Sequence, residues 1–190
     1  YPLAIDALRG SDAPLLDVGC GLGLLAHALR EQADTPAYRG VEIDAGKVVG
    51  ARRAAERAQL RDAVFECCDL GGGLPPHRGS VAILDVLQYL SADTQQRLLA
   101  SAIAMLVPGA RLVLRAALDD GGARSRATRF TDWIGHLSGW MQTRPDSYPD
   151  AGTLRATLDA AGLRTTFTPL QGAMPLNHWL VVAEHDAGQA

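Results

Sequence analysis

The stretch Leu15–Gly23, which reads LLDVGCGLG, runs from an apolar strand into a turn with glycine at every second position. A helical pattern over Leu24–Ala33 follows the turn directly. Glycine leaves room for a ligand to approach the backbone, and the start of the helix offers unpaired N–H groups. The segment therefore predicts a cofactor-binding turn, with a turn whose glycines serve geometry alone as the alternative. The candidate contacts in the turn are Gly19, Cys20, Gly21 and Gly23.

Short apolar runs alternate with longer helical patterns along the rest of the chain. This alternation predicts βαβ units and a doubly wound α/β fold, with a mostly parallel sheet covered by helices on both faces. The final two strands are joined by a loop too short for a crossover helix, so we expect them to be antiparallel. The predicted strands are 15–18, 38–43, 63–68, 81–85, 111–116, 163–169 and 178–184. The predicted helices are 3–8, 24–33, 47–59, 94–106, 128–141 and 154–161.

Composition restricts the class of protein. A chain of 190 residues suits a single domain, and 47% apolar with 21% charged residues is ordinary for a globular protein. The formal net charge is -3 and the arginines are dispersed, so no nucleic-acid footprint is indicated. No apolar run reaches the roughly 20 residues that a membrane-spanning helix needs. We therefore expect neither a nucleic-acid nor a membrane partner.

The cysteines point to a reducing setting. Cys20, Cys67 and Cys68 are odd in number and two are adjacent, which does not fit a disulfide framework. None has the spacing of a metal ligand, so no metal site is predicted. The expected location is therefore the cytoplasm. The chain begins at Tyr1 rather than at methionine, which leaves an upstream segment as an open alternative.

Two residues beside the glycine turn separate the cofactor classes. Dinucleotide-binding turns follow GxGxxG and place pyrophosphate on the helix N-terminus, but this chain has Leu24 at the third glycine position. Asp17 stands just before the turn, and a carboxylate pointing into the site would repel a pyrophosphate. It would suit a ligand that carries an ammonium and a sulfonium group. The electrostatics thus favour S-adenosylmethionine over NAD.

Acidic residues close the next strands. Glu42 lies about 20 positions after the turn, where nucleotide-binding βαβ folds grip a ribose diol, and Asp44 is placed to cap the following helix. Asp69 could accept a hydrogen bond from an adenine amine, or could serve only the turn before Gly71. Asp85 is expected near the reacting methyl group, with capping of a short helical turn as the alternative. The adjoining residues Ile43, Leu70 and Val86 complete the predicted cofactor contacts.

These segments resemble the ordered motifs of class I S-adenosylmethionine-dependent methyltransferases. LLDVGCGLG is similar to their first motif, GVEID to the acidic end of their second strand, ECCDL to their third motif and ILDVLQYL to their fourth. The segment LVPGARLVLR resembles the helix and strand that follow. The resemblance implies a seven-stranded sheet with its last strand antiparallel. It also implies that the glycine loop and Asp17 face the methionine part, Glu42 the ribose and Asp69 the adenine.

The chain departs from the family pattern at two points. Many relatives carry histidine at the position of Gln88, and glutamine cannot act as a base. The chain also lacks the second cluster of acids that would hold a metal in catechol-type enzymes. The DVLQYL stretch, the LVLR strand and the closing loop resemble methyltransferases found with aryl-polyene pigment pathways.

The acceptor side is expected in a long insertion over residues 118–149 of the single domain. A predicted helix within it places Trp133, His136 and Trp140 on one flank, which would give an aromatic wall with a titratable group. His178, at the start of the last strand, is a second candidate base. For both histidines a structural role is the alternative.

We therefore expect an enzyme that transfers a methyl group to a small molecule, aromatic or polyketide-like. In-line displacement at an activated methyl carbon needs mainly proximity of donor and acceptor, and a base only where the nucleophile must lose a proton. An NAD-dependent oxidoreductase and a non-catalytic S-adenosylmethionine-binding module are the alternatives. The chain is expected to be a monomer or a homodimer.

Overall fold

The computed structural model describes residues 1–32, 36–119, 147–170 and 177–186. Seven strands and five α-helices lie in these ranges, together with two short 3₁₀ turns at Leu70–Gly72 and Leu87–Tyr89. The helices are α1 (Pro2–Leu8), α2 (Leu24–Glu31), α3 (Ala45–Arg57), α4 (Ala92–Ala104) and α5 (Ala151–Ala160). The strands are β1 (Leu15–Val18), β2 (Tyr38–Glu42), β3 (Ala63–Cys67), β4 (Ser80–Leu84), β5 (Arg111–Ala117), β6 (Leu163–Pro169) and β7 (His178–His185).

The strands form one sheet in the order β3-β2-β1-β4-β5-β7-β6. Strands β1 to β5 pair in parallel, whereas β7 runs antiparallel to both β5 and β6. The register places Leu16 beside Val81 and Leu114 beside Val181. The predicted fold class is therefore confirmed, including the antiparallel last strand.

Helices cover both faces of the sheet, which is why the central strands are apolar without alternation. All residues of β1 and β4 are buried. One core cluster packs α4 and α5 against the sheet through residues such as Leu98 and Leu158. The other packs α1, α2 and α3 on the opposite face through residues such as Ile5, Leu25 and Val48.

Capping side chains fix three helix starts. Asp44 caps α3 by accepting from Gly46 N at 2.7 Å and Lys47 N at 3.1 Å, as predicted. Helices α4 and α5 begin two and three residues earlier than the apolar periodicity suggested. Ser91 and Asp150 cap them, and each accepts a backbone N–H three residues further on. The caps extend these helices beyond their apolar stripes.

The chain order reverses direction at the centre of the sheet. From β1 it moves outward through β2 and β3, and it then returns to place β4 on the other side of β1. In open parallel sheets, ligands bind in the crevice that such a switch point opens at the carboxyl ends of the strands. The fold thus selects the edge where Gly19, Glu42 and Asp85 lie.

Polar contacts fix the described ends of the long insertion at this same edge. Asp119 and Asp150 form a parallel bridge, and Ser147 N donates to Gln88 O at 3.2 Å. Gln95 Nε2 donates to Ser147 O at 2.8 Å and also to the carbonyl oxygens of the Leu87–Tyr89 turn and its neighbour Leu90. The predicted helix over 128–141, with Trp133, His136 and Trp140, lies outside the described residues.

Candidate cofactor site

A cavity of about 590 Å³ lies at the carboxyl edge of strands β1 to β4. Its wall is apolar where Val41, Leu84 and Leu90 contribute, and acidic where carboxylates from β2, the β3 end and the β4 end reach it. The lining residues are Gly19, Gly21, Val41, Glu42, Ile43, Lys47, Cys68, Asp69, Leu70, Gly71, Leu84, Asp85, Val86, Tyr89 and Leu90. A second cavity of about 380 Å³ lies at the opposite edge, beside Tyr38 and Asp62, and contains none of the predicted site residues.

The glycines of the loop have different functions. Gly21 has φ +57° and lines the cavity, and a Cβ placed on it would meet nothing within 4 Å. A Cβ on Gly23, at φ +77°, would lie 2.5 Å from the Phe65 ring, so this glycine lets α2 pack against β3. A Cβ on Gly19 would lie 2.4 Å from the Val86 side chain. Of these three glycines, only Gly21 therefore keeps free space at the cavity wall.

Glu42 joins the end of β2 to the glycine loop. Its side chain is buried, with Oε2 accepting from Gly21 N at 3.0 Å and Oε1 accepting from Asp44 N at 3.1 Å. Each carboxylate oxygen can accept a second hydrogen bond, because an ionised carboxylate offers about four lone-pair sites. Glu42 is thus held rigidly at the cavity wall with acceptor capacity to spare.

Asp17 lies beneath the loop and not on the cavity wall. It is 3% exposed, and the Tyr38 hydroxyl donates a hydrogen bond to its Oδ2. Burial raises the pKa of Asp17 from its ordinary 3.8 to about 6, against the opposing effect of the Tyr38 hydrogen bond. The expectation that this carboxylate points into the site is corrected. Both faces of β1 are buried, so nothing in its sequence pattern indicated the direction of this side chain.

Asp69 both shapes a turn and lines the cavity. Its Oδ1 accepts from Gly71 N at 2.9 Å and caps the 3₁₀ turn Leu70–Gly72, while the residue stays exposed at the end of β3. The predicted turn function and the predicted place beside a ligand are therefore compatible.

Asp85 has an unusual backbone and a charged partner. Its φ is 60°, a conformation that non-glycine residues seldom adopt and that often marks a functional position. Oδ2 accepts a hydrogen bond from the Arg115 guanidinium of the neighbouring strand β5. The following turn Leu87–Tyr89 has no side-chain cap, so the alternative of Asp85 as a helix cap is wrong.

The structure brings most of the predicted cofactor residues together. Eight of them line the cavity: Gly19, Gly21, Glu42, Ile43, Asp69, Leu70, Asp85 and Val86. Asp17, Cys20 and Gly23 do not line it. Burial raises the pKa of the Cys20 thiol to about 12, and a Cβ on Gly40 would lie 2.7 Å from its Sγ. His178 pairs with Ala117, one strand beyond β5, and does not line the cavity. His136 lies outside the described residues.

Three residues at the site were not predicted from the sequence. Lys47 lines the cavity from the first turn of α3, Tyr38 holds Asp17, and Arg115 holds Asp85. An arginine inside the apolar strand Arg111–Ala117 was a usable signal, since a charge in a buried strand needs a partner. Within the described ranges no group of three His, Cys, Asp or Glu side chains could hold a metal ion. No described helix has the length and apolarity to cross a bilayer.

The cavity lies at the switch point of the sheet, between the glycine loop that follows β1 and the buried acid that ends β2. The seventh strand of this sheet is antiparallel. Together these features define the class I methyltransferase architecture. The family described as "Methyltransferase domain" matches residues 16–112, which is more than half of the chain. The chain belongs to this family, and the resemblance of its motifs to class I S-adenosylmethionine-dependent methyltransferases is confirmed. S-adenosylmethionine is the methyl donor of the family. A search of curated protein sequences finds no match.

Solved structures share the fold at low identity. An O-methyltransferase family protein from Burkholderia thailandensis has a TM-score of 0.74 and 17% identity, covering 99% of this chain and 56% of its own. Magnesium protoporphyrin IX methyltransferase from Synechocystis PCC 6803, with bound S-adenosylhomocysteine, has a TM-score of 0.66 and 21% identity, covering 92% and 74%. An O-methyltransferase family 2 protein from Planctomyces limnophilus in complex with apigenin has a TM-score of 0.66 and 21% identity, covering 94% and 52%. The chain thus spans little more than half the length of two of these relatives.

Proposed function

We propose that this chain transfers a methyl group from S-adenosylmethionine to a small-molecule acceptor with apolar, aromatic or polyketide-like character. The observation that carries the proposal is the bond from Gly21 N to the Glu42 carboxylate at the cavity wall. It places a fixed negative charge where a nucleoside ribose and a cationic amino-acid part would lie. The donor supplies a methyl carbon activated by a sulfonium, and the residues of the chain position it.

Each carboxylate of the cavity wall binds a different part of the ligand. Glu42 uses its spare lone pairs on the two ribose hydroxyls, and Asp69 accepts from the adenine amine at the far end. Ile43 and Leu70, both on the wall near these acids, pack on the base. Asp17 acts through the loop, because its buried charge lies behind the backbone that the cationic end approaches.

The same bond argues against a dinucleotide cofactor. In dinucleotide-binding turns the loop N–H groups bind pyrophosphate. Here Gly21 N already donates to Glu42 Oε2 at 3.0 Å, so a phosphate at this point would meet a buried carboxylate. An NAD-dependent oxidoreductase is therefore the weaker interpretation of the site.

The acceptor is expected at the β4 end of the cavity. There Leu84, Val86 and Leu90 line the wall together with Tyr89, which gives an apolar surface suited to a flat organic molecule. The Planctomyces relative, solved with apigenin, supports an acceptor of this kind. The insertion over 118–149 is proposed to cover this end, because Ser147, near its C-terminal end, donates to Gln88 O of the Leu87–Tyr89 turn. A reducing, cytoplasmic setting is supported by the three free cysteines.

Titration calorimetry with S-adenosylhomocysteine tests the donor half of the proposal. We expect binding of S-adenosylhomocysteine and none of NAD. Glu42→Ala should weaken S-adenosylhomocysteine binding by about 1–3 kcal/mol, as expected for lost hydrogen bonds to a charged group. The physical reason is that the variant removes both the ribose acceptors and the anchor of the Gly21 N–H.

Glu66→Ala is the matched control. Glu66 is also an acid near the carboxyl end of a strand, on the neighbouring strand β3, but it pairs with Arg39 and does not line the cavity. Its loss should leave the affinity for S-adenosylhomocysteine unchanged. Equal affinities of Glu42→Ala and the unmodified protein would refute the ribose assignment, and no binding at millimolar S-adenosylhomocysteine would refute the proposed function. Methyl transfer to apigenin, followed by mass spectrometry, then tests the acceptor class.

A further inference from the structure

The cofactor cavity contains a positive charge that the acidic residues of its wall do not explain. Among the described residues that line the cavity, Lys47 is the only cation, and it shares the wall with Glu42, Asp69 and Asp85. S-adenosylmethionine carries positive charges at its sulfonium and its amino group, which attract carboxylates and repel an ammonium. Lys47 therefore requires an electron-rich partner on another part of the ligand.

The local structure of helix α3 does not account for this lysine. Lys47 lies in the first turn of the helix, where the helix dipole disfavours a cation. Ion pairs on a helix form three or four residues apart, and the next residues at that spacing are Gly50 and Ala51. Asp44, three residues before, is turned into the helix cap and accepts from Lys47 N at 3.1 Å. The Lys47 ammonium thus has no ion-pair partner within the described ranges.

The position of Lys47 along the cavity identifies the part of the ligand that it meets. Helix α3 connects β2 to β3 and contacts both strands. Lys47 therefore lies at the end of the cavity that Glu42 and Asp69 line, away from Asp85, which follows β4. On the proposed function, this end holds the adenosine. The carboxylate of the methionine part lies toward the other end, beyond the glycine loop, so it is not the partner of Lys47.

The adenine base offers a partner for each of the two charged side chains at this end. Its exocyclic amine donates hydrogen bonds, and its ring nitrogens accept them. An ionised carboxylate only accepts, and Asp69 keeps Oδ2 for the amine because its Oδ1 already accepts from Gly71 N at 2.9 Å. A lysine ammonium only donates, and a ring nitrogen is the acceptor that adenine presents to it. Asp69 and Lys47 together are thus complementary to the base.

We propose that Lys47 is a specificity-determining residue that donates a hydrogen bond from its ammonium to a ring nitrogen of the adenine. The flexible four-carbon stem of lysine allows the ammonium to reach the base from the first turn of α3. This inference rests on the proposed function and adds a side-chain donor to the acids that bind the methyl donor. It also explains why a cation is kept in a wall that is otherwise acidic.

Lys47→Met tests this assignment, because methionine keeps an unbranched apolar side chain and removes the charge and the donors. Titration calorimetry should give about tenfold weaker binding of S-adenosylhomocysteine, the effect of one hydrogen bond from a charged group. Arg53→Met is the matched control, since Arg53 is an exposed cation of the same helix that does not line the cavity. Its loss should leave the affinity unchanged, which separates a direct contact from the general loss of one positive charge.

Three deaza analogues of S-adenosylhomocysteine identify the atom that Lys47 contacts, since each replaces one ring nitrogen (N1, N3 or N7) with a C–H group. One of them should bind the unmodified protein about tenfold more weakly than S-adenosylhomocysteine does. The same analogue should bind Lys47→Met as well as S-adenosylhomocysteine does, because that variant has already lost the donor. Backbone N–H groups that contact the base would instead give the same penalty in both proteins.

The outcomes separate this inference from the proposed function. If the unmodified protein does not bind S-adenosylhomocysteine, both fail. If Lys47→Met binds it as tightly as the unmodified protein, Lys47 is a solvated residue at the cavity and the inference is overturned, while the proposed function stands. If each analogue carries the same penalty in both proteins, Lys47 does not contact the base, which also overturns the inference. Weaker binding by Lys47→Met, with one penalty that disappears in this variant, supports it.

Discussion

Gly23→Ala is expected to destabilise the protein by about 3 kcal/mol or more. The left-handed backbone of an L-residue costs about 1–2 kcal/mol, and overpacking of a close-packed interior adds about 1–3 kcal/mol. Both apply here, because Gly23 has φ +77° and its Cβ would lie 2.5 and 2.7 Å from two atoms of the Phe65 ring. Phe65 is 2% exposed and is held between strands and helix α3, so the ring cannot retreat without moving the core. Denaturant unfolding at neutral pH measures the change.

Gly21→Ala is the matched comparison, because it makes the same substitution two residues earlier in the same loop. Gly21 also has a positive φ, of +57°, but its Cβ would meet no atom within 4 Å. We expect a loss of only about 1 kcal/mol in stability, from backbone strain alone. S-adenosylhomocysteine binding should fall at least about tenfold, since the added methyl enters the cavity and displaces the ligand. Equal destabilisation by the two variants would show that Gly23 does not serve packing.

The sequence of the loop predicted its secondary structure but not the separate functions of its glycines. The alternation of glycines and the apolar run before them correctly predicted a strand, a turn and a helix, because these depend on local periodicity. The pattern could not distinguish a glycine that admits a ligand from one that admits a neighbouring side chain. That distinction depends on Phe65, which is brought to Gly23 from a strand 42 positions later in the chain.

The acids at the strand ends were predictable for the same reason. A residue that ends a strand of a parallel sheet must lie at the carboxyl edge, which placed Glu42, Asp69 and Asp85 together without knowledge of their contacts. The charged partners of these acids were not predictable in the same way. Arg115 lies 30 positions after Asp85, and their pairing follows from the neighbouring places of β4 and β5 in the sheet.

The direction of the Asp17 side chain was not predictable from its residue type. Its carboxylate was expected in the cavity because the charge suits a cation, and the structure places it beneath the loop against Tyr38. A buried carboxylate without a cationic partner is costly, so its position has a measurable consequence for stability.

Asp17→Asn should stabilise the protein at pH 8 by about 3 kcal/mol, or roughly 10 °C in the melting temperature. The native pKa of Asp17 is about 6 and its ordinary value is 3.8. Because the native value is the higher one, the contribution of Asp17 to stability is greatest below pH 3.8 and is lost as the pH rises through about 6. Asparagine stays neutral throughout and can still accept from the Tyr38 hydroxyl. The two proteins should therefore melt alike near pH 4 and diverge between about pH 4 and 6.

Tyr38→Phe gives the opposite change at the same place. It removes the hydrogen bond that lowers the pKa of Asp17, so the unmodified carboxylate becomes more costly to ionise and the variant should be destabilised most at high pH. Melting curves of the three proteins from about pH 4 to 8 would contradict the assignment if Asp17→Asn gave no gain above pH 6. A cation bound over the loop favours the ionised form, so affinity for S-adenosylmethionine should rise through about pH 6 in the unmodified protein and stay flat in Asp17→Asn.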